Sequence, residues 1–211
     1  MSVADPRRSL ELLSPAADSL ARDIRAVRGE QWDADSSCAG WKVNDLVAHC
    51  VGHGWIALTF IRRALAGDEA PAFGPAAAPI REDIKAGGPQ AAAERLLRER
   101  DELLTLAASL SESDMDKTGL HPRGPRTVAW LLNSRLSEVV FHHWDLRHSV
   151  GQSGPLDSAA ASQLLPAMLT PDYFGVLTRG APEDAPGQTF RLTSTTDGTS
   201  WRVLAKQGGG Q

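Results

Sequence analysis

Apolar residues recur every three or four positions along four stretches of the chain, which is the spacing of an amphipathic helix. These stretches lie at about residues 6–28, 43–66, 89–110 and 127–150. We expect Pro15 to interrupt the first helix, and the run Gly87-Gly88-Pro89 to mark the start of the third. Four helices of about 20 residues joined by loops predict an antiparallel four-helix bundle.

The segment between the second and third predicted helices, residues 67–88, is long and rich in Ala, Pro and Gly. This composition predicts a loop. A loop of more than about 12–15 residues inside a compact domain is often functional. The segment is therefore a candidate to carry binding residues, and it contains Arg81.

The chain after Gly151, a residue expected to end the fourth helix, has a different pattern. An Ala/Leu-rich segment at 156–169 predicts a short helix, and a Gly/Pro-rich linker follows. Residues 188–205 then alternate between polar and apolar around Asp197-Gly198, which is typical of a β-hairpin. The last five residues are expected to be disordered.

These patterns together predict a mainly α protein. Its expected architecture is an antiparallel four-helix bundle with a short C-terminal α/β extension that ends in a β-hairpin. We expect two domains, with the bundle in residues 1–151 and the extension in residues 152–211. A lone hairpin is only marginally stable in water, so it is expected to pack on the bundle or on another chain, which leaves a homodimer open.

Composition and charge limit the classes of molecule that the protein is expected to bind. The chain has 211 residues, of which 42% are hydrophobic and 23% charged, and its net charge is −4, so nothing indicates binding to nucleic acid or to an acidic membrane. No apolar run approaches the roughly 18 residues of a membrane span, and the N-terminus lacks the apolar region of a signal peptide. We therefore expect a cytoplasmic protein.

The fourth predicted helix carries Glu138 and His142 close to its apolar face. Residues four apart are neighbours on a helix surface, so the two side chains can form a hydrogen-bonded pair or bind one metal ion together. The second predicted helix offers His49 at the edge of its apolar face and His53 within it. With one of these histidines, the set matches the three ligands and open position of catalytic zinc. We favour His49, with His53 as the rival.

Two motifs carry a resemblance to a known family. The sequences SSCAGWKVNDLVAHCVGH at 36–53 and RLSEVVFHHWDL at 135–146 resemble those of the mycothiol-dependent maleylpyruvate isomerase family, a group of DinB-like four-helix metalloproteins. The resemblance implies a DinB-like bundle. It also implies a divalent metal, with zinc preferred, on His49, Glu138 and His142, and mycothiol or a similar thiol as co-substrate.

The resemblance further implies a metal-dependent isomerase or transferase in which a thiol acts on a small electrophilic substrate. Arg135 is expected to orient Glu138 or to meet an anionic substrate, and Asp145 to fix the tautomer of a ligand histidine. Arg81 is a candidate for binding the co-substrate or a substrate carboxylate. We expect neither Cys38 nor Cys50 to fill the open position of the metal.

Two other classes of function stay open at this point. One is a metalloenzyme that needs no thiol, such as a hydrolase or a tailoring enzyme of secondary metabolism. The other is a non-catalytic metal-binding stress protein, which a closed site with His49, His53, Glu138 and His142 would indicate. The C-terminal extension is expected to be shorter than the C-terminal domain of the isomerases, so whether maleylpyruvate is the substrate stays open.

Overall fold

The structure is a computed structural model, and it describes residues 4–70, 74–121, 124–168, 189–195 and 198–204. The elements in chain order are α1 (Pro6–Ala26), α2 (Gly29–Trp32), α3 (Val43–Ala66), a 3₁₀ turn (Gly74–Ala77), α4 (Ala78–Ala108), α5 (Glu112–Met115), β1 (Thr118–His121), β2 (Gly124–Thr127), α6 (Val128–Ser149), α7 (Ser158–Met168), β3 (Thr189–Thr193) and β4 (Ser200–Leu204).

The four long helices form a bundle in which each helix packs against two others. Helix α3 packs on α4 and α6, and α1 packs on the same two helices. The buried core consists mostly of aliphatic side chains and includes the aromatic residue Phe60. The predicted four-helix bundle is confirmed, and it accounts for most of the compact unit formed by residues 5–161. No helix among the described residues is long and apolar enough to cross a membrane.

Helix α1 differs from the prediction because it continues through Pro15. Asp5 begins the helix by accepting the backbone N–H of Arg7 at 2.9 Å. A proline within a helix removes one backbone hydrogen bond. The helix persists because Leu13 and Ala17, on either side of Pro15, are fully buried against the bundle, so packing outweighs the lost bond.

The predicted loop over residues 67–88 is wrong for its second half. Helix α4 begins at Ala78, and Gly88, with φ 73° and ψ −176°, divides it into two helical segments. The Gly-Gly-Pro run therefore starts the second segment only. The first segment forms because alanine is a strong helix former and Ile84 is buried in the core. Arg81 consequently lies on a helix and not in a loop.

A hairpin that the sequence analysis missed leads into the fourth bundle helix. Strands β1 and β2 pair antiparallel, with Thr118 opposite Thr127. Gly119 allows the hairpin to approach α3, because a Cβ there would lie 3.0 Å from the Phe60 ring. Thr127 then begins α6 by accepting the backbone N–H of Trp130 at 3.1 Å.

The second compact unit comprises residues 1–4 and 162–211. The predicted C-terminal helix corresponds to α7, and the predicted hairpin is confirmed as the antiparallel pair β3–β4, with Phe190 opposite Val203. The predicted linker after 169 and the predicted disordered tail lie outside the described residues. The domain division at residue 151 stays a prediction.

Candidate metal centre

Helices α3 and α6 bring the three predicted metal ligands together. The Glu138 Oε2 atom lies 3.2 Å from His49 Nε2 and 3.3 Å from His142 Nε2. All three side chains are half-buried, and one potential ligand atom from each lies within 4.8 Å of the other two. The convergence follows from the four-residue spacing on α6 and the direct packing of α3 on α6.

The geometry of these atoms fits a divalent metal. Zinc binds imidazole nitrogen and carboxylate oxygen at about 2.0–2.2 Å in tetrahedral sites, which places neighbouring ligand atoms about 3.3–3.6 Å apart. The two Glu138 distances are close to that range. The rings of His49 and His142 are 5.0 Å apart and perpendicular, at 89°, so their nitrogens approach the carboxylate from different directions. The three side chains can thus hold a zinc ion after small adjustments.

The electrostatics of the cluster favour an ionised Glu138. Burial by itself raises the pKa of this carboxyl, but the adjacent His53, His142 and His49 outweigh burial and hold the pKa well below its ordinary value. Burial lowers the pKa of His142, while hydrogen bonds with Asp145 and Glu138 act more strongly and raise it to about 9. The cluster therefore supplies an anionic oxygen for a dication.

Asp145 is placed to orient His142. Its Oδ2 atom is 2.9 Å from His142 Nδ1, on the side of the ring opposite Glu138. A carboxylate at that distance favours a proton on Nδ1, so Nε2 is the nitrogen that would bind a metal once it has released its own proton. This is the role that the sequence analysis expects for Asp145.

His53 lies deeper than His49. Its side chain is buried, at 7% exposure, and burial lowers its pKa to about 3, so it is a neutral imidazole at physiological pH. Among the described residues, the groups that could hold a metal include His49 and do not include His53. The geometry therefore favours His49 as the ligand from α3.

Arg135 is buried within the bundle, at 2% exposure. Its Nη1 atom donates to the backbone carbonyl of Cys50 at 2.7 Å, which joins α6 to α3 next to His49. This bond positions α6 against α3. Both roles expected for Arg135, orientation of Glu138 and contact with an anionic substrate, stay predictions.

The structure also brings Cys38 to the site, which the sequence analysis missed. Its thiol, His142 and Asp145 form a second group whose potential ligand atoms lie within 4.8 Å of one another. The loop is held there by Ser37, whose Oγ donates to the Asp145 carbonyl at 2.9 Å and whose N–H donates to Ser149 Oγ at 2.9 Å. Contacts between residues more than 100 positions apart leave no local signal in the sequence.

Neither cysteine is suited to be a nucleophile. Burial and the neighbouring Asp145 carboxylate raise the pKa of the Cys38 thiol to about 11. Burial raises the pKa of the Cys50 thiol to about 12. Because the thiolate is the reactive form of cysteine, both residues are largely inert at neutral pH.

A cavity of about 350 Å³ opens beside His49. Its lining residues are Gly40, Trp41, Asp45, Ala48, His49, Ala78, Arg81, Glu82 and Lys85. The Trp41 ring forms a wall 4.9 Å from the His49 ring, centroid to centroid. The volume is that of a site for a small molecule.

Two cations line this cavity, and they differ in their partners. Lys85 Nζ is already paired with Asp45 at 2.9 Å and with Glu82 at 3.1 Å. The buried Nε of Arg81 has no hydrogen-bond acceptor among the described residues. Arg81 is thus the better placed of the two to bind an anion in the cavity.

Comparison with known proteins identifies the family. Residues 13–147 match the family described as Mycothiol maleylpyruvate isomerase N-terminal domain. The chain belongs to this family. The match contains both motifs and all the residues of the candidate site, so the family predicted from those motifs is confirmed.

Similar sequences and structures are consistent with this membership. The uncharacterized protein Rv0738 of Mycobacterium tuberculosis is 28% identical over 152 residues, which are 72% of either chain. The crystal structure of the mycothiol-dependent maleylpyruvate isomerase aligns with all of this chain and 85% of its own, with a TM-score of 0.72 and 19% identity. YfiT from Bacillus subtilis, a probable metal-dependent hydrolase with an unusual four-helix bundle topology, aligns with 72% of this chain and 91% of its own, with a TM-score of 0.57 and 18% identity. At these identities the two structures establish the fold.

Proposed function

We propose that the protein is a metal-dependent enzyme that uses a low-molecular-weight thiol, mycothiol or a similar compound, on a small electrophilic substrate. The reaction is an isomerisation or a transfer of the thiol sulfur, as in a maleylpyruvate isomerase-like enzyme. The observation that carries the proposal is the His49/Glu138/His142 cluster, whose spacing suits zinc and which adjoins a cavity. Membership in the isomerase family supports the thiol.

A bound metal would supply Lewis acidity, which lowers the pKa of a coordinated thiol from about 8.5 and so provides a thiolate at neutral pH. The chain's own thiols do not offer this, because the pKa of Cys38 is raised to about 11 and that of Cys50 to about 12. The raised pKa values favour a nucleophile from outside the chain.

The residues around the cluster have distinct tasks in this proposal. His49, Glu138 and His142 hold the metal, and Asp145 keeps the proton on His142 Nδ1. Trp41 covers one side of His49 and limits the access of water. Arg81 binds a carboxylate of the substrate or of the thiol, which orients it in the cavity.

The proposal predicts that a thiol binds to the metal through its sulfur. Cobalt in place of zinc makes thiol binding detectable by absorption spectroscopy, since a thiolate ligand adds a sulfur-to-cobalt charge-transfer band in the near ultraviolet. Titrating the cobalt-loaded chain with mycothiol or a cysteinyl analogue is expected to produce this band, and the corresponding disulfide is not. If neither the thiol nor the disulfide changes the spectrum, the thiol is removed from the proposal.

Arg81 is expected to favour thiols that carry a carboxylate. Mercaptoacetate and 2-mercaptoethanol are similar in length, but after binding through sulfur only the first carries a further negative charge, on its carboxylate. We expect cobalt-loaded protein to prefer mercaptoacetate a few-fold, about the effect of a partly exposed ion pair, and Arg81→Gln to abolish the preference. Arg98→Gln, on the same helix outside this cavity, is the matched control. An equal preference in the Arg81 variant would exclude the role.

A thiol-independent hydrolase is the second candidate, and the structural likeness to YfiT favours it. The same three ligands with an open position serve metal-dependent hydrolysis. Turnover of a substrate without any added thiol would select this candidate, and a strict requirement for thiol would exclude it.

A further inference from the structure

A second cluster of charged side chains lies inside the bundle, next to the candidate metal centre. Arg135 on α6 and Glu99 on α4 are both buried, at 2% and 5% exposure. The Glu99 Oε1 atom accepts from Arg95 Nε at 2.7 Å. Its other oxygen, Oε2, is buried and has no hydrogen-bond partner among the described residues. The carboxylate thus has one oxygen satisfied and one oxygen directed into the bundle.

The unpaired Oε2 atom of Glu99 lies beside Gly54, close to the Arg135 guanidinium. A Cβ built on Gly54 would lie 3.4 Å from Arg135 Nη2 and 3.2 Å from Glu99 Cβ, and it would overlap with Glu99 Oε2. The carboxylate oxygen and the guanidinium nitrogen therefore surround the same point on α3. Glycine at position 54 leaves the space in which the two charges can approach each other.

A buried guanidinium is costly unless an opposite charge compensates it. The pKa of the Glu99 carboxyl is raised because the group is buried, and the hydrogen bond from Arg95 together with the charges of Arg95 and Arg135 limits that rise. Opposite charges that lie within about 4–6 Å of each other favour each other's ionised forms. Glu99 is placed to be the counter-charge of Arg135.

The bond that Arg135 makes joins the two helices that carry the metal ligands. It ends on the carbonyl of Cys50, the residue after His49, and Arg135 itself precedes Glu138 by almost one helical turn. We expect the loss of this bond to alter the distance between His49 and the pair on α6. An uncompensated guanidinium would also repel a dication in the neighbouring site.

We propose that Glu99 is a positioning residue of the metal centre, acting through Arg135 in the space left by Gly54. The inference rests on the proposed metal site. Glu99 holds the Arg135 guanidinium against the Cys50 carbonyl and neutralises its charge, so that His49, Glu138 and His142 keep the spacing that a metal requires. Glu99 does not itself touch the metal or the substrate.

The test is the zinc affinity of Glu99→Gln, measured by competition with a chromophoric chelator. We expect a loss of about tenfold, the lower end of the effect of residues that support metal ligands. The visible spectrum of the cobalt-loaded variant should change as well, because the ligand geometry changes. Glu102→Gln is the matched control, since Glu102 lies on the same helix in an exposed pair with Arg62 and should keep wild-type affinity.

A double-mutant cycle separates this role from a general loss of stability. In an Arg135→Gln background there is no guanidinium to compensate, so Glu99→Gln should change zinc affinity by less than about twofold. An equal loss in both backgrounds would overturn the inference, as would a lower melting temperature with unchanged zinc affinity and cobalt spectrum. If Glu99→Gln alone does not fold, Glu99→Asp takes its place in the cycle, with a smaller loss expected.

The same measurements distinguish the inference from the proposed function. Wild-type protein that binds no zinc would contradict the metal site and, with it, the role of Glu99. Wild-type protein that binds zinc, together with a Glu99→Gln variant of equal affinity and spectrum, would contradict the inference alone.

Discussion

Replacing His142 with alanine is expected to lower zinc affinity by more than the 10–100-fold that the loss of a supporting residue costs. The substitution removes one of the three proposed ligands and also frees Asp145 from its partner. Glu138→Gln should cause a loss of the same order, because Glu138 supplies the anionic oxygen of the cluster. Isothermal titration of the metal-free chain with zinc measures both effects.

His53→Ala is the control for these substitutions. His53 is a neutral, buried imidazole on the same helix as His49, one turn further along. Its removal should lower the free energy of unfolding by about 1 kcal/mol or somewhat more, as typical substitutions do, and leave zinc affinity nearly unchanged. A larger loss of affinity for His53→Ala than for Glu138→Gln would make His53 the ligand and move the site one turn along α3.

Asp145→Asn is expected to lower zinc affinity about 10–100-fold. The amide can present its N–H₂ group to His142 Nδ1, which favours the tautomer with the proton on Nε2, the proposed metal-binding nitrogen. The size of the side chain is unchanged, so packing is conserved. Chelator competition with the variant and the wild type measures the effect.

The chain contains a matched control for Asp145. Asp23 Oδ2 lies 2.6 Å from His143 Nε2, so Asp23 also pairs with a histidine of α6, but outside the candidate metal centre. Asp23→Asn should therefore leave zinc affinity unchanged. Equal effects of the two substitutions would show that an Asp–His pair on α6 acts through stability and not through the tautomer of His142.

The sequence predicts the positions of the bundle helices well where their ends carry clear signals. Helix α3 begins and ends at the predicted residues, because Asp45 accepts the backbone N–H of Lys42 at its start and Gly67 adopts φ 67° at its end. The four-residue spacings on α6 likewise predict which side chains meet His49. These features depend on local backbone geometry, which is determined by residues close together in the sequence.

The sequence-based predictions are wrong or incomplete for segments whose structure depends on contacts with residues far away in the chain. The first half of α4 has the composition of a loop, and Ile84 makes it helical by entering the core. The position of Cys38 beside His142 depends on bonds between Ser37 and the end of α6. Glu99 is not part of any sequence motif. Its closeness to Arg135 appears only in the folded structure, where both side chains lie next to Gly54.

The most direct test of the metal centre is a crystal grown with zinc and measured at the zinc absorption edge. We predict one anomalous peak per chain at about 2.0–2.2 Å from His49 Nε2, His142 Nε2 and a Glu138 oxygen, with a fourth position open to solvent or thiol. A peak among Cys38, His142 and Asp145 would contradict this assignment, and so would a chain that binds no zinc at all.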